Sequence, residues 1–468
     1  MRIKRIAQTI VFCIVFVILF RHVYKILSWK DTAGDYYSSM NSFYELEEDI
    51  VDVLFLGSSH CYCAVNNSIL WDEHGISNFS LAISGQDLAS TYHCLVEALK
   101  TQSPEVIMIE LYGVIFDGYA VEGNLYRNTI QYKLSKNAYQ VVDALVKDGQ
   151  EGNYLLKWPI VHTRYAELKK GDFQDLPTYI GYQSEFNIQP QSPIVPYEGE
   201  AAESLGENRE YWLGRIMDYA EEENLNICFF VAPYVAYDYE QMFFRRAEIL
   251  AAERGIPVIN MIDLHEECEI DEMTDLCDWA HTNYYGADKV TRYLGEYLKS
   301  NYQLKNHYGD DRYGLWDKDL EARQHEWTNQ QLRTTGDVKS YLKAIGGLDG
   351  YTVVVATGGE YLWDGINLKP SLREAGISDA FFEGPGTWVF QDQEIIYESA
   401  DAESFYHLDL KQDDLIISSS QGKKSIILTR GNHSRVENGI NIVVYDNVLG
   451  QMVDAVGFDA GNEYQMIR

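Results

Sequence analysis

The sequence predicts an α/β protein built on a parallel sheet, with an apolar helix before it and a mainly-β domain after it. Three observations carry this. Short apolar runs alternate with helix-patterned segments between residues 50 and 300, the sequence form of strand, crossover helix and parallel strand. From Tyr341 the texture changes to β-branched and aromatic runs separated by turns. At the start, residues 6–20 are apolar except for Gln8 and Thr9.

Arg2, Lys4 and Arg5 precede that first run, and Arg21, His22 and Lys25 follow it. Val23, Tyr24, Ile26 and Leu27 extend it if the intervening charges snorkel to the interface. It reads as either a signal anchor or a cleaved signal peptide. No small-residue cleavage site follows Phe20, which favours an anchor over residues 1–28 with the remainder outside the cytoplasm.

The 468 residues include 71 acidic against 38 basic, a formal charge of −33. That balance argues against sequence-independent nucleic-acid binding, which needs a basic face, so no nucleic-acid partner is expected. Of the cysteines, Cys13 lies in the anchor, while Cys61, Cys63, Cys94, Cys228, Cys268 and Cys277 lack the paired spacing of a zinc site. Disulfides are permitted outside the cytoplasm, but none is assigned.

In chain order, residues 28–48 read as a stalk and approach helix. The first strand, residues 51–56, ends at Gly57-Ser-Ser-His60. A second short strand from Asn78 ends in a glycine loop at Gly85, whose backbone N–H is available to an oxyanion. Asp87 is a candidate N-cap for a helix with Leu88, Tyr92, Leu95, Val96 and Leu99 at helical spacing, and Ser103-Pro104 stops it. A third strand covers residues 106–111. From about 113 to 205 the pattern weakens into an insertion that shapes or covers the site, with its aromatic residues either packing or stacking on sugar rings. Alternation resumes with a helix at 210–223, a strand at 227–232, a helix at 239–254 and a strand at 258–261. A last helix carries Val290, Tyr293, Leu294, Tyr297 and Leu298. Residues 301–338 suit a helical linker, and 339–468 form the β domain, interrupted by one short helix at 371–375.

The chemistry gathers at two loops. Asp52-Val-Leu-Phe-Leu-Gly-Ser-Ser-His60 puts serines just past a buried strand, where open α/β sheets place their reactive groups. Asp278-Trp-Ala-His281 stands just ahead of the last helix. A serine hydroxyl, a histidine to take its proton and a carboxylate to orient the imidazole make an acyl-handling serine enzyme. A lone serine after a strand is ordinarily a turn residue, and Asp-x-x-His is weak alone; their joint placement carries the case.

These blocks resemble the SGNH/GDSL hydrolase superfamily, and within it the membrane-anchored, DltD-like members associated with acylation of cell-envelope polymers. The matching residues are Phe55-Leu-Gly-Ser-Ser59-His, Asn78 to Gln86, and Asp278-Trp-Ala-His281-Thr-Asn, within a span of roughly 50 to 300. The resemblance implies a flavodoxin-like parallel sheet over residues 29–300, with Ser59 as nucleophile, His281 as general base and Asp278 as its orienting carboxylate. It makes the backbone N–H groups of Ser59 and Gly85 part of the oxyanion hole. His60 competes for the role of base. The chain departs from the family after the third strand, where Ile109-Glu-Leu-Tyr-Gly113 replaces Gly-x-Asn and removes a side-chain oxyanion donor.

The C-terminal stretch resembles the interleukin-like EMT inducer (ILEI/PANDER) module. The resemblance rests on Ser371-Leu-Arg-Glu-Ala-Gly376, Gly384-Pro-Gly-Thr-Trp388 and Asn438-Gly-Ile-Asn-Ile-Val-Val-Tyr-Asp446. It implies a compact glycan-binding accessory domain, in which Trp363 and Trp388 are either core or sugar-contacting residues.

The expected activity is O-acyl transfer or ester hydrolysis, with acetyl the expected group, on a cell-surface or secreted polysaccharide. The expected partners are a glycan, the membrane through the N-terminal helix, and a membrane acyl-donor protein; neither metal nor organic cofactor is required. The rival expectation is a catalytically silent glycan-binding or polysaccharide-assembly protein. Sequons at Asn66, Asn78 and Asn432 are taken as chance.

Overall fold

Five apolar runs form the strands β1 (Val53–Gly57), β2 (Asn78–Ala82), β3 (Val106–Glu110), β4 (Ile227–Val231) and β5 (Val258–Asn260). Every residue of β1 to β4 is buried, as strands covered by helices on both faces require. They pair in parallel in the order β2-β1-β3-β4-β5, the flavodoxin-like doubly wound arrangement, in which the carboxyl ends flanking β1 form the switch-point crevice. In register, Gly57 lies beside Ala82 of β2, and Leu56 lies beside Ile109 of β3.

The computed structural model describes residues 2–28, 38–116, 122–147, 149–168, 170–173, 180–358, 369–377, 386–401, 403–411, 413–420, 423–428 and 431–468. They divide into two units, Met1–Leu320 and Glu321–Arg468.

In the first unit an N-terminal helix, α1 (Arg2–Leu27), is apolar and exposed along most of its length, and is long enough to cross a membrane. Of the stretch expected as a stalk, Met40 and Phe43 are fully buried in the core of the sheet. At the start of the expected linker, Tyr313 and Trp316 join the same core, and Trp316 Nε1 donates to the carbonyl of Asn78 at 2.8 Å. The described part of the insertion is helical at Glu122–Ile130, Lys136–Leu145, Glu151–Leu156 and Trp158–Val161, while residues 180–205 carry no helix. Asn66 and Asn78 are buried, so neither sequon is available for glycosylation in the folded chain.

The second unit contains two antiparallel sheets. Its strands are β6 (Tyr351–Gly358), β7 (Thr387–Gln391), β8 (Glu394–Ser399), β9 (Ser404–Asp409), β10 (Asp414–Ser420), β11 (Lys423–Leu428), β12 (Gly431–Asn432), β13 (Gly439–Asp446), β14 (Gln451–Asp459) and β15 (Gln465–Ile467). They form a six-stranded sheet β15-β14-β13-β6-β7-β8 and a four-stranded sheet β12-β11-β10-β9. Alternation places Val353, Val355, Ile440 and Ile442 on one face, under the helix Val338–Ile345. It places Val354, Ala356 and Val443 on the other, against Leu415 and Ile417 of the smaller sheet. Trp388 is buried and donates Nε1–H to Glu398 at 2.9 Å, so it is a core residue. Trp363 lies outside the described residues.

Candidate active site

The serine turn is set by a glycine that nothing larger can replace. Gly57 has φ +150°, and a Cβ on it would fall 2.6 Å from Cβ of Glu110 on β3. The chain then turns at Ser58, which caps the helix Ser59–Ala64 by accepting from His60 N. Ser58 is buried and donates its hydroxyl to Glu110 Oε2 at 2.9 Å. Glu110 Oε1 accepts from Tyr112 N at 2.6 Å. Glu110 therefore fastens the end of β3 to the serine turn, and its complete burial raises its pKa to about 7 despite those hydrogen bonds. Of the two serines, Ser58 is structural; Ser59 faces the crevice, partly exposed.

The histidine arrives from the far end of the domain. In the turn before the helix Tyr284–Asn301, Asp278 Oδ1 accepts from the backbone N–H groups of Ala280 at 2.7 Å and His281 at 2.8 Å. The same carboxylate meets His281 Nδ1 at 3.0 and 3.1 Å. One acid thus shapes the turn and aims the ring. Thr282 anchors the turn to the serine helix by donating to the carbonyl of Cys63 at 3.0 Å.

His281 Nε2 lies 2.9 Å from Ser59 Oγ. Partial burial pushes the Asp278 pKa up, but the hydrogen bond and charge of His281, with the two backbone donors, outweigh it and hold the pKa at about 2. An ionised carboxylate can only accept, so Nδ1 carries the hydrogen and the Nε2 lone pair faces the serine. The structure thus brings Ser59, His281 and Asp278 into one hydrogen-bonded line, an arrangement able to take a proton from a hydroxyl and stabilise the resulting imidazolium.

Gly85 sits on the loop after β2 with φ +65°. Among the described residues neither its N–H nor that of Ser59 donates to any acceptor, which leaves both free for a developing oxyanion. Sequence reasoning missed a third group. Asn124, on the helix Glu122–Ile130, lies against Gly85 so closely that a Cβ on the glycine would fall 2.1 Å from Asn124 Nδ2. Its side-chain amide has no hydrogen-bond partner among the described residues. An amide therefore stands beside the Gly85 loop even though β3 ends in Glu110. Asn128, one turn on, donates to the carbonyl of Ser84 at 3.3 Å and holds this helix to the loop. The phenol of Tyr62 faces the hydroxyls of Ser84 and Ser59, and burial raises its pKa, keeping it protonated.

His60, the competing base, points away from the serine into an aromatic box: it stacks on Tyr112 and meets Tyr234 edge-on. Beside the triad, Trp279, Tyr237 and Tyr239 form an exposed shelf, with ring centroids 5.7 Å apart for the first pair and 5.8 Å for the second. The Tyr237 and Tyr239 rings are 13° from parallel, and Trp279 is tilted 49° from Tyr237.

All seven cysteines are free thiols. His407, Asp409 and Asp414 are close enough to share a cation, but all three are exposed and make ordinary surface ion pairs at 3.4 and 3.8 Å.

No protein-family model matches the chain, and no curated protein does. Solved structures are similar to part of it. A psychrotrophic esterase from Pseudoalteromonas sp., crystallised inhibited by monoethylphosphonate, shares 12% identity over 53% of this chain and 97% of its own, with a TM-score of 0.28. A GDSL-like lipase from Bacteroides thetaiotaomicron shares 13% identity over 57% of this chain and 98% of its own, with a TM-score of 0.29. Superpositions this loose carry nothing about substrate or mechanism, and what this chain does is read from its own side chains.

Proposed function

We propose that the protein is a serine esterase or O-acyltransferase, anchored by α1 with its bulk outside the cytoplasm, that acts on acyl groups, acetyl foremost, of a cell-surface or secreted polysaccharide. The observation that carries this is the line Ser59 Oγ, His281 Nε2, His281 Nδ1, Asp278 carboxylate, with hydrogen-bond distances of 2.9 and 3.0 Å.

In this reading His281 takes the hydroxyl proton as Ser59 attacks the acyl carbonyl. The oxyanion is met by the N–H groups of Ser59 and Gly85 and by the Asn124 amide. His281 then protonates the leaving oxygen, and an acyl-serine remains. Water or a sugar hydroxyl, deprotonated by the same histidine, releases the acyl group. The aromatic shelf at Trp279 supports a sugar as the species that carries or receives it. The acyl donor is supplied at the membrane by a partner protein, and the C-terminal unit holds the polymer.

Fluorophosphonate labelling of the full chain in detergent, with the adduct located by mass spectrometry, tests the proposal. An adduct on Ser59 that disappears in Ser59→Ala and His281→Ala supports it. Folded protein that fails to react, beside a serine esterase that does, rejects it in favour of a silent glycan-binding protein.

A further inference from the structure

Several of the described helical segments of the insertion pack against α1. Trp158 lies on Phe20 with ring centroids 4.8 Å apart. The helix Trp158–Val161 and the 3-10 turns His162–Ala166 and Lys170–Phe173 all pack against α1. Arg164, itself buried, donates Nη1 to the carbonyls of Leu27 at 2.9 Å and Ser28 at 2.8 Å, and Nη2 to the buried Asp172 at 2.9 Å. A guanidinium here satisfies the terminal carbonyls of α1 and lies at the negative end of its dipole. A helix destined for removal would take away the two carbonyl acceptors of Arg164 Nη1 and leave it Asp172, so the packing favours a retained α1.

Phe20 is the last residue of the uninterrupted apolar run, and Arg21 follows it. On the reading that α1 is an anchor, this is the level at which hydrocarbon gives way to headgroups, where tryptophan and tyrosine collect. Trp158 is held at that level by its contact with Phe20. Around it, on segments that touch α1 or adjoin those that do, Leu156 is 72%, Tyr165 73% and Phe173 64% exposed. These large side chains sit within an 18-residue stretch and next to the exposed apolar surface of α1. The stretch 151–173 also carries four Lys and Arg against three Asp and Glu in a chain of net charge −33, so its charge does not repel an anionic lipid surface.

We infer that residues 151–168 and 170–173 form a membrane-seated collar around the exit of α1, with Trp158, Leu156, Tyr165 and Phe173 in the interfacial layer of the lipid bilayer. The inference rests on the anchor reading and goes beyond it, because it gives the insertion a lipid partner of its own. It also fixes where the triad works. The helix Glu122–Ile130, nine residues and about 13 Å long, has Asn124 against the oxyanion loop. Tyr126 and Ile130 of the same helix line a cavity with Tyr24 and Ser28 at the end of α1. One short helix therefore links the acyl chemistry to the bilayer surface.

The test is photolabelling of the full chain in phosphatidylcholine and phosphatidylglycerol vesicles containing a lipid with a diazirine on its acyl chain, read by peptide mass spectrometry. Adducts are expected in α1 and in peptides covering 151–173. The triple variant Leu156→Ser, Tyr165→Ser, Phe173→Ser is expected to lose at least about fivefold of the second set while keeping the first and an unchanged circular dichroism spectrum. Adducts in α1 with none in 151–173 overturn the collar and leave the anchor standing. Absence of adducts from both overturns the collar and the anchor together.

Discussion

His60 lies flat on Tyr112, with ring centroids 3.7 Å apart and planes 19° from parallel. Burial lowers its pKa well below the usual histidine value, and the nearby His281 adds to the effect. Its Nδ1 has no hydrogen-bond partner among the described residues. With its ring 5.0 Å from that of His281, this neutral imidazole serves, on the proposed function, as a wall for His281 rather than as a base. His60→Phe, which keeps a flat ring on Tyr112, is expected to retain the fluorophosphonate reaction rate within about tenfold. His281→Ala is expected to lose about four orders of magnitude, and Asp278→Asn about three to four. Second-order labelling rates of the three variants measure this directly, and comparable losses in His60→Phe and His281→Ala would contradict the assignment.

On the proposed function Asn124, which lies against Gly85, stands in for the amide missing after β3. Asn124→Ala is expected to lower kcat on a small acetyl ester by about 100-fold to 1000-fold, the usual cost of one oxyanion donor. KM should stay within about threefold, since the lost interaction strengthens only as charge develops on the carbonyl oxygen. Steady-state kinetics with an aryl acetate separate the two, and an unchanged kcat would remove Asn124 from the site.

The shelf of Trp279, Tyr237 and Tyr239 predicts discrimination by substrate size. Trp279→Ala and Tyr237→Ala are each expected to raise KM for an acetylated oligosaccharide by about tenfold, corresponding to about 1.4 kcal/mol of lost contact. Aryl acetate turnover should change by less than about threefold. Equal losses on both substrates would mean that the shelf supports the fold and not the sugar.

Glu110 links stability to pH. Its carboxyl titrates at about 7 in the folded chain and at 4.5 when unperturbed. Between those values the folded protein keeps a proton that the unfolded chain has released, so this group's contribution to stability falls as pH rises through the window and levels off above about 7. The whole change is about 3 kcal/mol. Glu110→Gln stays neutral; its carbonyl can still accept from Tyr112 N, and its amide can donate to Ser58 Oγ. The stability of the variant relative to the parent is expected to rise between pH 5 and pH 8, measured by urea unfolding of the full chain in detergent. A difference independent of pH would contradict the raised carboxyl.

The parallel sheet was legible because its strands are short apolar runs, each closed by a recognisable stop. Ser59, Asp278 and His281 were legible because each stands at a strand end or before a helix, where sequence marks the backbone change. Asn124 was not: its role depends on which surface of the sheet the helix Glu122–Ile130 lands on, and local pattern carries no such information. The same holds for Arg164, two of whose acceptors, the carbonyls of Leu27 and Ser28, lie 137 and 136 residues earlier. In the second unit the strands differ in how much apolar signal they carry. β9 alternates intermediate and exposed residues without one fully buried position, so its apolar signal is weak.

Ser59 and His281 are separated by 222 residues. A ribosome adding 5–20 residues per second takes about ten to forty-five seconds to cover that interval. On the proposed function the nascent chain has, throughout it, a nucleophile but no base, and a fragment ending before the turn Asp278–His281 that follows β5 is expected to be inert toward esters. Acyl chemistry, on that function, begins only once every strand of the parallel sheet has been synthesised.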